Sequence, residues 1–295
     1  MMTVKRAGST AKRTTKLLIR RMLIPSDFHR ARARLLKDRS LTPDEKQLLK
    51  GVSLKVSTLD SMYVLGQADH YLLVGLSAIR SIEAALESAG IKSSGIASIL
   101  DFPVGYGRVL RFLKLRFPQA RISGAELDSS AMKFCIREFS IEPVSTGQDF
   151  AQLSAPGKFD LIWCGSLVTH INEDSTIALL RFFRDHLTDN GICIFSAHGQ
   201  TAADQLRQKR NTYHLGLPEQ EHLLRQYEQT DYGYVDYAGA LGYGISLVSP
   251  ERMKKLISQL GACVFFQPTV WDHHHDVYGL KNLNDSETVR PQKAA

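Results

Sequence analysis

Asp101-Phe102-Pro103-Val104-Gly105-Tyr106-Gly107-Arg108 is the stretch on which the reading of this 295-residue chain turns. An apolar run, Ile96 to Leu100, precedes it, and Val109, Leu110 and Leu113 follow at helical spacing. A strand, a tight turn with two glycines and a helix bring backbone amides up to a nucleotide-like ligand. The glycines leave no Cβ between chain and ligand and permit a positive φ. Nineteen residues after Gly107, Glu126 ends the next apolar run, where a carboxylate reaches ribose hydroxyls. Together they point to a ligand that contains adenosine.

Two phosphate-binding patterns are incomplete. The dinucleotide fingerprint needs a third glycine, and Leu110 stands there. A P-loop needs Lys-Ser/Thr after its last glycine, and Arg108-Val109 stand there. A nucleoside cofactor without pyrophosphate fits better, and S-adenosylmethionine leads. A nicotinamide oxidoreductase is the minor alternative.

Further elements follow in order. Asp128 or Ser129 caps a helix through Phe139. Phe159 to Cys164 reads as a buried strand entering the small loop Gly165-Ser166. Asn172 to Asp174 open a helix with Ile177, Leu180 and Leu187 near one face. Asp189-Asn190-Gly191 turns into a strand from Ile192 to Ala197. From about Ser98 to Gly199, with an end segment from Ser249 to Leu280, the chain resembles the class I S-adenosylmethionine-dependent methyltransferases. The subgroup in question carries a D-x-P-x-G-Y-G-R loop, usually with cysteine where this chain has Val104.

The resemblance implies an α/β fold: a Rossmann-like, seven-stranded, mostly parallel sheet with helices on both faces and an antiparallel last strand. A helical N-terminal extension and an insertion before the final helix complete it. The resemblance also implies site residues. Asp101, Phe102, Pro103, Gly105, Tyr106, Gly107 and Arg108 form the loop holding the methionine end of the cofactor. Glu126 takes the ribose hydroxyls, Leu127 lies against the adenine, and Asp149-Phe150 sit near the adenine amino group. Cys164, Gly165 and Ser166 lie beside the reactive methyl.

Plainer readings stand beside these. Gly105 and Gly107 suit a simple tight turn, Glu126 a solvated strand end, and Asp149 a polar loop. Cys164 and Cys193 suit small buried positions. The four cysteines show no C-x-x-C spacing, so neither zinc nor a disulfide framework is expected, and a reducing, cytoplasmic setting is.

The net charge of +7 is unevenly placed. Residues 1–40 hold twelve Lys/Arg and two Asp, so they carry +10 and the remainder −3. Leu17-Leu18-Ile19 and Met22-Leu23 lie among Lys12, Arg13, Lys16, Arg20 and Arg21. Such an arm suits a disordered tail, a helix docked on its own protein, a peripheral membrane contact, a nucleic-acid contact or a transit segment. No apolar run is long enough to span a membrane. A helix is expected from Tyr71 to Ala89, with Asp69 as cap and Gly90 as stop. The expected division is a basic arm at 1–45, the methyltransferase domain at 46–285 and a tail at 286–295.

The acceptor side is less explicit. The insertion, 200–249, holds six of the ten tyrosines, which suit either a partly polar acceptor or a subunit interface. Ser249-Pro250-Glu251 opens a helix, and Val264 to Trp271 and Asp276 to Leu280 read as strands. Between them lies Trp271-Asp272-His273-His274-His275-Asp276. On an extended chain His273 and His275 share a face and His274 does not, so no metal site is expected. His170, His198, His273 and His275 are the candidate general bases. The expected activity is methyl transfer to a small-molecule or glycan acceptor, on oxygen. The alternatives are an RNA methyltransferase or RNA-binding protein guided by the basic arm, and a cofactor-binding pseudo-enzyme.

Overall fold

A computed structural model describes residues 4–283, with backbone alone for 4–19. The expected tail at 286–295 and the side chains of Leu17, Leu18 and Ile19 lie outside the described residues. The chain divides into two compact units. One comprises residues 1–79, 104–118 and 128–140, and the other 80–103, 119–127 and 141–295.

The second unit holds the sheet. Its strands are β1 (Ser98–Asp101), β2 (Arg121–Ala125), β3 (Glu142–Val144), β4 (Phe159–Cys164) and β5 (Leu187–His198). A hairpin of β6 (Tyr232–Tyr237) and β7 (Ala240–Val248) forms a separate two-stranded sheet. β8 (Ala262–Trp271) and β9 (His275–Lys281) complete the large one, in the order β3-β2-β1-β4-β5-β9-β8. β1 to β5 pair in parallel and β9 runs antiparallel to both neighbours, so the last strand alone is reversed. This is the expected Rossmann-like sheet. Strand order reverses between β1 and β4, and ligands of open α/β sheets bind outside the carboxyl ends of the strands there.

The core forms where strand residues Leu100, Ile162, Cys193 and Phe195 meet helix residues. Those come from α6 (Glu173–Asp185; Leu179, Leu180, Phe183) and α9 (Pro250–Ser258; Met253, Leu256, Ile257). Asn172 caps α6 through Ser175 N and Ser249 caps α9 through Arg252 N. Leu187 is the first residue of β5 rather than part of the helix face, because α6 ends at Asp185 and Leu187 pairs with Phe159. Asp189-Asn190-Gly191 likewise lies within β5, alongside a register shift against β4, not in a turn before it. The insertion builds α7 (Gln200–Arg207), α8 (Leu217–Thr230) and the hairpin around a second cluster, with Leu206, Tyr213, Leu223, Tyr227 and Leu247.

The first unit is helical: α1 (Val4–Leu35), α2 (Pro43–Gly51), most of α3 (Ala68–Ser88), α4 (Leu110–Arg116) and α5 (Ser129–Phe139). Ile24, Phe28, Ala31 and Leu35 of α1 recur at helical spacing and are buried, so this part of the basic arm docks on its own protein. Phe28 packs on Tyr63 and Tyr71 at 5.0 and 5.4 Å, and Tyr63 donates to Asp27 at 2.6 Å. Asp69 is not the cap of α3 but lies in its first turn, where Arg34 holds its Oδ2 at 2.6 Å. Asp128 caps α5 through Ser130 N, as expected. Among the described residues, no helix is long and apolar enough to cross a membrane.

Candidate functional site

At the carboxyl end of β1, Asp101 is buried and its Oδ2 has no hydrogen-bond partner. Burial first, and the negative charge of Glu126 second, push its carboxyl well above the usual carboxylate range. Glu126 follows β2 and is half-buried, while Leu127 beside it is 60% exposed. An apolar side chain so open, next to a carboxylate, suits the expected adenine position. At the end of β4, burial pushes the Cys164 thiol up, with Asp101 adding to it, so this sulfur is a packing group and not a nucleophile. A Cβ on Gly165 would lie 2.8 Å from the Trp271 ring, which explains the glycine. Ser166 adopts φ +64°, and its N–H donates to Ser196 Oγ at 2.9 Å.

Asp149 has a local task. Its Oδ1 accepts from Ala151 N at 3.0 Å and its Oδ2 from Gln152 at 2.6 Å, capping a 3-10 turn at Phe150–Gln152. Phe150 packs against the core.

The rest of the glycine loop belongs to the helical unit. Its two glycines differ physically. Gly105 has φ +53° and open space where a Cβ would stand. Gly107 has φ +78° and a Cβ there would lie 2.5 Å from the Phe139 ring. Tyr106 donates to Asp128 at 3.1 Å, and Cys135 Sγ to Gly105 O at 3.3 Å. Arg108 lies 5.9 Å over the Tyr71 ring, and Val104 is buried. Sequence reading missed Arg111. It is 2% exposed and donates to Gly107 O at 2.9 Å and Ser53 O at 2.7 Å, which fixes the end of the loop. The available signal was an arginine between Leu110 and Phe112, on the apolar side of a helix whose other basic residues, Lys114 and Arg116, lie in its last turn.

The histidines separate into two groups. His170 ends a 3-10 turn after β4, at Val168–His170. Its Nδ1–H donates to Gly244 O at 2.7 Å, which leaves the lone pair on Nε2, and its ring stacks on Tyr243 at 4.8 Å. Burial holds its pKa below the ordinary histidine value, with the Gly244 bond acting in the opposite sense. Burial pushes the Tyr243 phenol up, and the charge of Glu126 adds to this, so Tyr243 stands within electrostatic reach of Glu126. Tyr237 flanks His170 at 6.1 Å.

His198 and His275 form the second group, opposite each other on β5 and β9 with rings 4.8 Å apart. Burial holds His198 well below the ordinary value, and its neighbours His274 and His170 lower it further. The expected pairing of His273 with His275 does not form. Asp272 and His273 both have positive φ, so the chain between β8 and β9 is a tight turn and not extended. His273 is exposed outside it, and His274 comes within 4.3 Å of the His275 ring.

Residues 100–193 match the family model for a methyltransferase domain. An S-adenosylmethionine-dependent methyltransferase from Clostridium acetobutylicum superposes with a TM-score of 0.50 at 15% identity, over 71% of this chain and 92% of that one. Human N-acetylserotonin methyltransferase, solved with S-adenosylmethionine, gives 0.47 at 14% identity, over 74% of this chain and 54% of that one. The mitomycin 7-O-methyltransferase gives 0.45 at 12%, over 85% of this chain and 60% of that one. Comparison with curated protein sequences finds no match. The matched segment is similar to a methyltransferase domain, and the sheet order with its reversed last strand is the Rossmann-like fold of the class I S-adenosylmethionine-dependent methyltransferases.

Proposed function

We propose that this protein methylates an oxygen atom on a small-molecule acceptor with a flat, partly polar face, and that His170 is the general base. S-adenosylmethionine supplies an electrophilic sulfonium methyl, so direct displacement asks the protein chiefly to align the acceptor and exclude water. The residues present fit that cofactor. Asp101 Oδ2 is a buried acceptor lacking a donor, as a ligand ammonium requires. Glu126 offers acceptors for two ribose hydroxyls, Leu127 an apolar platform, and Gly105 an open position beside the backbone. Gly107, Cys164, Gly165 and Ser166 complete the proposed cofactor set, and Asp149 contributes through the turn it caps.

The observation that carries the acceptor assignment is the His170–Tyr243 stack. His170 presents a neutral imidazole, its tautomer set by Gly244 O, stacked on Tyr243 with Tyr237 beside both rings, and Tyr243 lies within reach of the Glu126 charge. Aromatic walls with polar edges favour a flat acceptor, and a neutral Nε2 takes the hydroxyl proton as the methyl transfers. Peripheral membrane contact by the basic arm remains part of this reading.

Calorimetric titration with S-adenosylmethionine, on wild type and Glu126→Ala, tests the cofactor half. Binding is expected, and strongly weakened in the variant. A panel of phenolic and sugar acceptors then tests the rest, with His170→Asn lowering kcat by ~10²- to 10⁴-fold while cofactor affinity holds. Absence of cofactor binding, or unchanged turnover in His170→Asn, overturns the corresponding half.

A further inference from the structure

We propose that His198, His274 and His275 bind one divalent transition-metal ion of the zinc class. One ring nitrogen from each lies within 4.8 Å of the other two. Two of the residues come from facing strand ends and the third from the turn that joins β8 to β9, so the sheet itself fixes the triad.

The hydrogen bonds at His274 and His275 have the form that orients metal-binding histidines, in which one nitrogen is held by the protein and the other is left for the ion. His274 Nδ1–H donates to Asp272 O at 2.6 Å, which places its lone pair on Nε2. His198 is 3% exposed and its Nδ1 is buried without a partner. A lone pair in that position is costly unless a donor or a cation meets it. His275 Nδ1 lies 3.1 Å from Ser196 Oγ, which also receives the Ser166 N–H. A serine oxygen accepts twice, so His275 can donate from Nδ1 and coordinate through Nε2.

Bonds of 2.0–2.1 Å at tetrahedral angles set ligand nitrogens ~3.3 Å apart. The triad is therefore more open than a filled site, and His274, half-buried on its turn, is the ring with room to close it. Three neutral imidazoles suit zinc, cobalt or nickel better than magnesium or calcium. Three protein ligands also leave a coordination position for water or a ligand oxygen. The inference is independent of the acceptor assignment, because the triad excludes His170.

The test is titration of the tag-free, chelator-stripped full chain with Co²⁺, read by visible absorption, followed by competition with Zn²⁺. One equivalent is expected, displaced by one equivalent of Zn²⁺. His274→Ala, which alters only the turn, should weaken binding by more than ~100-fold with the melting temperature unchanged, and His198→Ala, at a buried position, should weaken binding as much. His273→Ala, one residue away and exposed, should bind as wild type. Failure to bind one equivalent, retention of affinity in His274→Ala, or equal loss in His273→Ala overturns the site.

Discussion

Alanine at Gly107 and alanine at Gly105 should behave as two different experiments, although the residues are two apart in one turn. Both positions have positive φ, +78° and +53°. An L-residue in that region costs ~1–2 kcal/mol, the lower figure applying at Gly105, whose angle is close to the ideal left-handed value. At Gly107 the new methyl also meets the Phe139 ring at 2.5 Å and Cys135 Sγ at 3.4 Å. Phe139 is 5% exposed and packs on Phe134 at 6.1 Å, so it cannot swing away cheaply. Overpacking of this kind adds ~1–3 kcal/mol, for a total of ~2–5 kcal/mol at Gly107 against ~1 kcal/mol at Gly105. At ~2–4 °C per kcal/mol, Gly107→Ala should melt roughly 5–15 °C below wild type and Gly105→Ala only a few degrees below. Calorimetry should reverse the severity. In the folded Gly105→Ala protein the methyl fills the open position proposed for the cofactor, and affinity for S-adenosylmethionine should fall by at least ~10-fold. Shrinking the obstructing ring, in Gly107→Ala/Phe139→Leu, should recover part of the lost stability. Equal melting losses for the two alanines would refute the packing argument, and wild-type affinity in Gly105→Ala would refute the cradle.

Other perturbations follow from the same geometry. Asp101→Asn should raise the stability of the ligand-free protein at neutral pH. Its carboxyl is held well above the usual range, so the folded form favours the proton and loses stability as pH rises from the unfolded pKa toward the folded one. Denaturation at several pH values should show that dependence diminished in the asparagine variant, while cofactor affinity falls; an unchanged profile counts against it. Arg111→Ala strips donors from Gly107 O and Ser53 O and leaves a buried gap, for a loss of ~3–5 kcal/mol, with Arg111→Lys restoring only part in urea melts. For His170 as base, kcat/KM should fall on the acid side through an apparent pKa below 6.5, and His170→Asn should abolish that limb. A profile flat across that range removes His170 from the role.

The elements legible in the sequence are those whose signals are local. Asp128, Asn172 and Ser249 cap the helices they announce, and buried β4 reads as an unbroken apolar run. Helix and strand boundaries near residue 187 were not legible, because Leu187 satisfies a helical face and a strand partner equally well until Phe159 is placed beside it. Arg111 escaped for a related reason. An arginine in a helix that also carries Lys114 and Arg116 reads as an exposed side chain unless the carbonyls of Ser53 and Lys55, more than fifty residues earlier, are known to lie beside it. The histidine run shows the sharpest limit. Alternation is sound for an extended chain, but two consecutive positive φ values at Asp272 and His273 are set by the turn between β8 and β9, and they exchange which histidines face each other.

Among the described residues, two of the five buried side-chain atoms without a partner lie at strand ends, and the others, on Arg20, Asp69 and Tyr278, lie elsewhere in the fold. Asp101 Oδ2 ends β1 and His198 Nδ1 ends β5, and both atoms are buried without a hydrogen-bond partner. A protein folding for stability alone would remove them, since each costs ~1–3 kcal/mol and a hydrophobic replacement would not. Their cost falls at the carboxyl ends of parallel strands, where an open α/β sheet receives its ligands. The two atoms also differ in what would relieve them. A carboxylate oxygen needs a donor or a cation, which the methionine end of S-adenosylmethionine carries. An imidazole lone pair needs a hydrogen-bond donor or a metal. Under the two proposals an organic cation matches the first atom and a metal ion the second, and titrating each ligand against the other will show whether they act on one reaction or serve separate ends.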